Sequence, residues 1–169
     1  LRVTTHIKDS ESKRLWQKIS RLPEERILSL GDEDNFWSMG ETGPCGPCTE
    51  IFFDRGEDFV NDDDRWLEIW NLVFMEFEKS SGGALAPLPL KCVDTGMGLE
   101  RIASVVQNVE SNYQTDEFVD ILNTIEIFIS ERIGKKLQRN HGAFPPPDSE
   151  ECALRVLADH IRACTHLIA

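Results

Sequence analysis

The hydrophobic pattern changes period along the chain. From 68 to 77 it has period two, with Ile69, Asn71, Val73, Met75 and Phe77 on one side and Trp70, Leu72 and Phe74 on the other. Apolar residues on both sides mark a strand covered on both faces, so 68–77 is predicted to be a central strand. Leu1 to Thr5 is β-prone, Arg26–Leu30 and Leu88–Val93 read as short strands, and Thr49-Glu50-Ile51-Phe52-Phe53 reads as another. Gly31-Asp32-Glu33-Asp34 and Ser80-Ser81-Gly82-Gly83 carry turn chemistry.

Helical spacing appears first after Asp9 or Ser10, either of which caps a helix with Leu15, Trp16 and Ile19 on one face, ended by Pro23. Gly96–Val106 is predicted to turn into a second helix. Thr115 caps a third, with Asp116 and Glu117 in its first turn and a stripe of Phe118, Ile121, Leu122, Ile125, Phe128 and Ile129. After a loop over 134–148 containing Pro145-Pro146-Pro147, Ser149 opens a fourth, with Leu154, Leu157, Ile161, Cys164 and Ile168 at helical spacing. Strands dominate before about residue 95 and helices after it, which predicts an α+β core joined to a helical domain.

Composition narrows the function classes. Hydrophobic residues make up 40% and charged residues 28% of the 169, enough for a packed core. No apolar run has the length of a membrane span, and the N-terminus lacks a secretory signal pattern. The net charge of −12 argues against this chain holding the main RNA-binding surface. An odd set of five cysteines with no signal stretch favours reduced thiols in a cytosol or an organelle matrix. The opening at Leu1 and the apolar close over Cys164–Ala169 are expected to be cuts within a longer protein. The acidic stretch of Asp54, Glu57, Asp58, Asp62, Asp63 and Asp64 reads as a solvated loop, because it shows no fixed metal-ligand spacing.

Three features carry candidate chemistry. Cys45-Gly46-Pro47-Cys48 admits a structural zinc site, a reactive dithiol or a stiff loop beside a ligand. Zinc needs a second close ligand pair, and a reactive dithiol needs a helix after its first cysteine; neither is visible, so the stiff loop is favoured. Asn71 sits in the middle of an apolar strand face; its amide is either satisfied by neighbouring backbone or points into a pocket, and spacing alone leaves both open. In Asp94-Thr95-Gly96-Met97-Gly98-Leu99-Glu100-Arg101 a carboxylate ends a strand, two glycines allow close approach to the backbone, and a helix begins with an arginine in its first turn. An acid for an amine and an arginine for a phosphate would hold an amino acid beside a nucleotide; alone, the stretch reads better as a glycine-containing strand–helix turn with a surface arginine.

Taken together, GPCGPCTE at 43–50, EIWNLVFMEF at 68–77 and DTGMGLERI at 94–102 resemble the aminoacylation domain of the alanyl-tRNA synthetases, a class II family. The similarity extends to Asp34-Asn35-Phe36-Trp37, Val109–Phe118 and Leu154–Arg162, and is weakest over 134–150. The resemblance implies an antiparallel class II sheet flanked by helices. Residues 1–108 would be the C-terminal part of the catalytic core, including motif 3, and 109–169 the beginning of a helical tRNA-recognition domain. It implies ATP- and Mg²⁺-dependent activation of L-alanine to alanyl-adenylate, followed by transfer to tRNA(Ala).

By the same resemblance, Trp37 packs at the ATP and alanine site, and Ile69, Trp70 and Asn71 line the ATP site, with Asn71 also touching alanine. Val73 limits side-chain size, Asp94 binds the ammonium, Gly96 leaves room for substrate and Gly98 contacts ATP. Arg101 is the motif 3 arginine on the ATP phosphates. No protein metal site is implied here; zinc is expected only in an editing domain outside this chain, and most tRNA contacts also lie outside it. Motifs 1 and 2 are expected before Leu1, so these residues alone are expected to be inactive. A non-catalytic synthetase paralogue is the rival reading, and the joint presence of Asn71, Asp94 and Arg101 speaks against it. Asn71 and Asp94 are expected to face one pocket, with 68–77 antiparallel to a neighbour near 89–93.

Overall fold

A computed structural model describes every residue except Val60, Gln138, Asn140, His141, Ala143 and Ala169. It divides into two compact units, Leu1–Arg101 and Ile102–Ala169. No helix among the described residues is long and apolar enough to cross a membrane.

The first unit is built on a mixed sheet. Strand β1 (Arg2–His6) leads into helix α1 (Ser10–Ile19), which returns through a 3-10 turn at Glu24–Arg26 to β2 (Ile27–Leu30). This crossover makes β1 and β2 parallel, with Val3 opposite Ile27. Helix α1 starts where predicted: an Asp9 carboxylate oxygen accepts from the Ser12 N–H at 2.9 Å. Gly31–Asp34 does not stop at a turn; it runs into the short helix α2 (Asp32–Asn35), then β3 (Phe36–Ser38). Strand β4 (Gly43–Asp54), the short helix α3 (Asp62–Arg65), β5 (Trp66–Lys79) and β6 (Leu85–Met97) follow. The sheet order is β2-β1-β4-β5-β6, with β3 pairing β4, and every pair beyond β1–β2 is antiparallel.

The structure extends and corrects the sequence reading. Strand β5 lies between β4 and β6 as expected, though only Ile69, Val73 and Met75 are fully buried along it. The Cys45–Cys48 segment is no loop. It lies inside β4, at a register shift between Cys45 and Cys48. Gly46 is required there, because a Cβ on it would collide with the Phe74 carbonyl oxygen. Asp94 does not end a strand either; β6 continues through Thr95 and Gly96 to Met97. The acidic stretch is exposed over Glu57 and Asp58 and helical over Asp62–Asp64, while Asp54 is tied to Arg65 at 2.7 Å and Arg26 at 3.1 Å.

Helix α4 (Leu99–Gln107) begins in the first unit. The second unit contains α5 (Asp116–Ile133) and α6 (Glu150–Ile168). Phe118, Leu122 and Ile125 of α5 pack with Leu154 and Ala158 of α6. Gly134 closes α5 in the left-handed conformation at φ 64°, and the Ser149 hydroxyl caps α6 by accepting from the Cys152 N–H at 3.1 Å. The predicted stripes continue past this core: Phe128 on α5 and Leu157, Ile161 and Ile168 on α6 are exposed. The loop over 134–148 is only partly within the described residues.

Candidate active site

Strand register decides which side chains meet. Glu50 of β4 is opposite Asn71 of β5, which is opposite Gly96 of β6; Cys48, Val73 and Asp94 form the next row. Directly opposed residues point to the same face, and successive residues to opposite faces. Cys48, Glu50, Asn71, Val73, Asp94 and Gly96 therefore share one face of the sheet, joined by Thr4 of β1 opposite Glu50. The other face carries Thr49, Leu72 and Thr95 in register. Helix α1 covers that second face, where the Trp16 indole N–H donates to the Thr49 hydroxyl at 2.7 Å. Trp70 belongs to it too, donating from Nε1 to Thr95 Oγ1 at 3.0 Å.

A bulge modifies this alternation. Ile51 pairs Trp70 but Phe52 pairs Glu68, so β5 carries one extra residue at Ile69. The slip brings Glu68 onto the Glu50 face, where strict alternation would have sent it to the Trp70 face. Arg101, in the first turn of α4, folds back onto Glu68 and donates from Nη1 to its carbonyl oxygen at 2.9 Å and to its Oε2 at 3.1 Å. Gly98 makes room for that fold: a Cβ there would stand 3.1 Å from the Arg101 side chain, and its N–H bonds the Ile69 carbonyl at 3.2 Å.

The centre of the face is a small polar network. The Asn71 amide donates from Nδ2 to Glu50 Oε1 at 2.9 Å, and the Cys48 thiol donates to the same oxygen at 3.7 Å. Asn35 is fully buried and donates from Nδ2 to Thr4 Oγ1 at 2.8 Å and to Cys48 Sγ at 3.9 Å. The remaining oxygens of both amides, Asn71 Oδ1 and Asn35 Oδ1, are buried without a hydrogen-bond partner. Burial, helped by the neighbouring Glu68 and Asp34 carboxylates, pushes the Glu50 carboxyl up to about 7, against the Cys48 thiol and Arg101. Burial, followed by the charge of Glu50, pushes the Cys48 thiol up to about 12. A reactive dithiol needs the opposite shift, so this pair is built for packing, not thiol exchange.

Of the sequence-predicted site residues, Asn71, Val73, Asp94 and Gly96 come together on one face. Val73 is buried at 6% exposure, Asp94 is exposed, and a Cβ on Gly96 would meet nothing within 4 Å. Gly98 and Arg101 join them from the start of α4, and Ile69 is buried behind. Trp37 lies on β3 opposite Gly46, 36% exposed. Trp70 is not brought to this face. Sequence reasoning missed Glu50, Glu68 and Asn35. Glu50 carried a readable signal, a carboxylate set directly before the apolar run Ile51-Phe52-Phe53; Glu68 carried none, because the bulge that turns it inward leaves no mark in the residue pattern.

Among the described residues no group of three or more His, Cys, Asp or Glu could hold a metal ion. Class II synthetases use ATP and Mg²⁺. A magnesium ion here would take most of its ligands from nucleotide phosphates and water, which is its usual arrangement at phosphate sites.

The family model of class II tRNA synthetases (A) matches residues 1–169. The alanine–tRNA ligase of Oleidesulfovibrio alaskensis is 46% identical over 178 aligned positions, covering 100% of this chain and 19% of the relative. That of Neisseria meningitidis serogroup B is 46% identical, covering 100% and 20%. That of Bordetella avium is 46% identical, covering 98% and 19%. The chain thus spans about one fifth of the length of these curated relatives. With a match along its whole length and a sheet whose one face gathers Asn71, Asp94 and Arg101, the chain belongs to the class II tRNA synthetases.

Proposed function

We propose that this chain supplies part of the adenylate-forming site of an alanine–tRNA ligase, which activates L-alanine with ATP and transfers it to tRNA(Ala). The observation that carries the reading is the shared face of Asn71, Val73, Asp94 and Gly96, with the buried Asn71 Oδ1 lacking a protein donor. Asp94 receives the alanine ammonium. The Asn71 carbonyl accepts a further N–H from the same group. Val73 closes the floor against larger side chains, and the open space over Gly96 admits the substrate.

ATP lies toward α4, where Gly98 gives close approach to the backbone and Arg101 turns from Glu68 to the phosphates. Ile69 and Trp70 line the nucleotide through their main chain, since the Trp70 indole is held by Thr95, and Trp37 borders the site from β3. Alanine's own carboxylate attacks the α-phosphate, so the protein's work is to hold the two reactants in line and to balance charge. Magnesium, carried with the nucleotide, adds charge neutralisation at the phosphates.

Residues 1–108 act as the C-terminal part of the catalytic core and 109–169 as the beginning of the helical tRNA-recognition domain. The net charge of −12 supports leaving most tRNA contacts to regions outside this chain; in this reading the zinc of an editing domain lies outside it as well, and the enzyme is cytoplasmic. The test is alanine-dependent ATP–pyrophosphate exchange by an enzyme of the relatives' full length that contains this chain. Exchange driven by alanine is expected; exchange driven by another amino acid in preference to alanine overturns the reading.

A further inference from the structure

The Asn71 carboxamide has two ends, and only one serves an ammonium. Its oxygen accepts an N–H; its NH₂ group would repel one. Rotating the amide by half a turn exchanges the ends at almost no steric cost, so something must fix which end faces the ligand. Glu50 lies directly opposite Asn71 in the sheet, and its Oε1 already accepts from Asn71 Nδ2 at 2.9 Å and from the Cys48 thiol at 3.7 Å. An ionised carboxylate can only accept, so a flipped amide would set oxygen against oxygen. The outcome is the buried, unpartnered Oδ1 on the other end. We infer that Glu50 is a positioning residue, which holds the Asn71 amide with its carbonyl oxygen toward the amino group of the substrate.

The inference rests on the alanine reading above and adds a residue to it. Glu50 touches no reacting atom in this scheme; it acts through Asn71. The charged and titratable groups facing it are Cys48 on its own strand, Glu68 on β5, Asp34 on α2 and Arg101 on α4, with Asp94 of β6 on the same face. Burial and the two nearby carboxylates hold Glu50 close to neutrality, so a proton can reach it within the working range. Once protonated it can donate to Asn71 Oδ1, and the amide is released. Orientation is therefore enforced above the carboxyl pKa and lost as the pH falls through about 7.

The experiment uses the full-length enzyme and measures KM for alanine and for ATP in pyrophosphate exchange, for the unsubstituted enzyme and for E50A, E50Q, N71A and E50A/N71A. Removing the acceptor in E50A should raise KM for alanine about tenfold, the size of one hydrogen bond's effect, with KM for ATP changed less than about twofold. E50Q offers a donor beside its acceptor, as protonated Glu50 does, so it should keep most of the E50A loss. E50A/N71A should be no worse than N71A, because both act through one amide. Between about pH 8 and pH 6 the unsubstituted enzyme should show a rising KM for alanine, and E50Q a flat one. That last comparison stands even where E50A does not fold. Additive losses in the double variant, equal losses for both substrates, or a pH limb that persists in E50Q would overturn the assignment while the alanine reading stands. Failure of the unsubstituted enzyme to exchange with alanine would overturn both.

Discussion

Both units of this chain bury polar side chains, and they complete them to different degrees. In the helical unit Glu151 is 2% and Arg155 5% exposed, yet each has several partners. Glu151 accepts from Arg155 at 2.9 Å and from Arg139 at 3.2 Å; Arg139 also reaches Asn123 and Glu126, and Arg155 donates to the Gly142 carbonyl and lies over the Tyr113 ring. In the sheet unit Asn71 Oδ1 and Asn35 Oδ1 are buried with no partner at all. A finished polar network holds a fold together, and its members are hard to change. An unfinished one costs free energy in the resting protein and is worth keeping only where something else completes it. The unpartnered Asn71 oxygen on the face shared with Asp94 is the feature on which the proposed alanine site rests.

The largest contrast is chemical and compares one cysteine from each unit. Cys48 is 2% exposed with its thiol pushed up to about 12, whereas Cys164 is exposed on α6. Only the thiolate alkylates, so at pH 8 Cys164 should react with iodoacetamide about a thousandfold faster than Cys48. Peptide mapping after timed alkylation measures the ratio; comparable rates would mean that the Glu50 network opens readily and that the two regions do not differ as described.

Glu151→Ala should be next. It leaves Arg155 and Arg139 buried without their shared carboxylate, and breaking a buried pair from one side costs about 3–5 kcal/mol. Urea unfolding of the helical unit within the full-length enzyme should show that loss, with the alanine KM of the surviving folded protein unchanged. A loss below about 1 kcal/mol would place the Glu151 network with weak surface pairs.

Asp94→Asn reverses the signature. Asp94 is exposed and has no role in the core, so stability should hold. Loss of a charge-assisted hydrogen bond, about 1.5–3 kcal/mol, should lower alanine use about ten- to hundredfold, with ATP binding nearly unaffected. Unchanged alanine use would remove Asp94 as the ammonium partner.

These expectations also mark how far the residue pattern reaches. Strand β5, the stripe on α5 and the Asp9 and Ser149 caps were legible because each is fixed by spacing or by one local hydrogen bond. That Asn71 and Asp94 share a face was expected, and the register bears it out. The Cys45–Cys48 segment was misread because glycine and proline signal a loop locally, while the sheet uses Gly46 to let Phe74 approach. Glu50 was passed over because its importance depends on which residue stands opposite it, and pairing register is not written in one strand. Glu68 and the turn of Trp70 to the far face depend on a bulge, which no periodicity announces.

The smallest effect tests whether the distinction is about completeness of polar networks or merely about which unit a residue belongs to. Asp9 lies in the sheet unit, as Glu50 does, but its hydrogen bonds are complete: one oxygen accepts from the Ser12 N–H at 2.9 Å and the other from the Ser12 hydroxyl at 2.6 Å. It holds the first turn of α1, whose Trp16 packs on the face away from Asn71. Asp9→Ala should therefore behave like a helical-unit change, lowering stability by about 1 kcal/mol, the usual worth of an N-cap, and leaving KM for alanine and ATP where they were. Thermal unfolding and pyrophosphate exchange on the same preparation measure both. A shift in KM for alanine as large as that of Asp94→Asn, with no loss of stability, would show that a satisfied group in this unit also serves the substrate, and completeness of hydrogen bonding would no longer separate the residues that bind from those that hold.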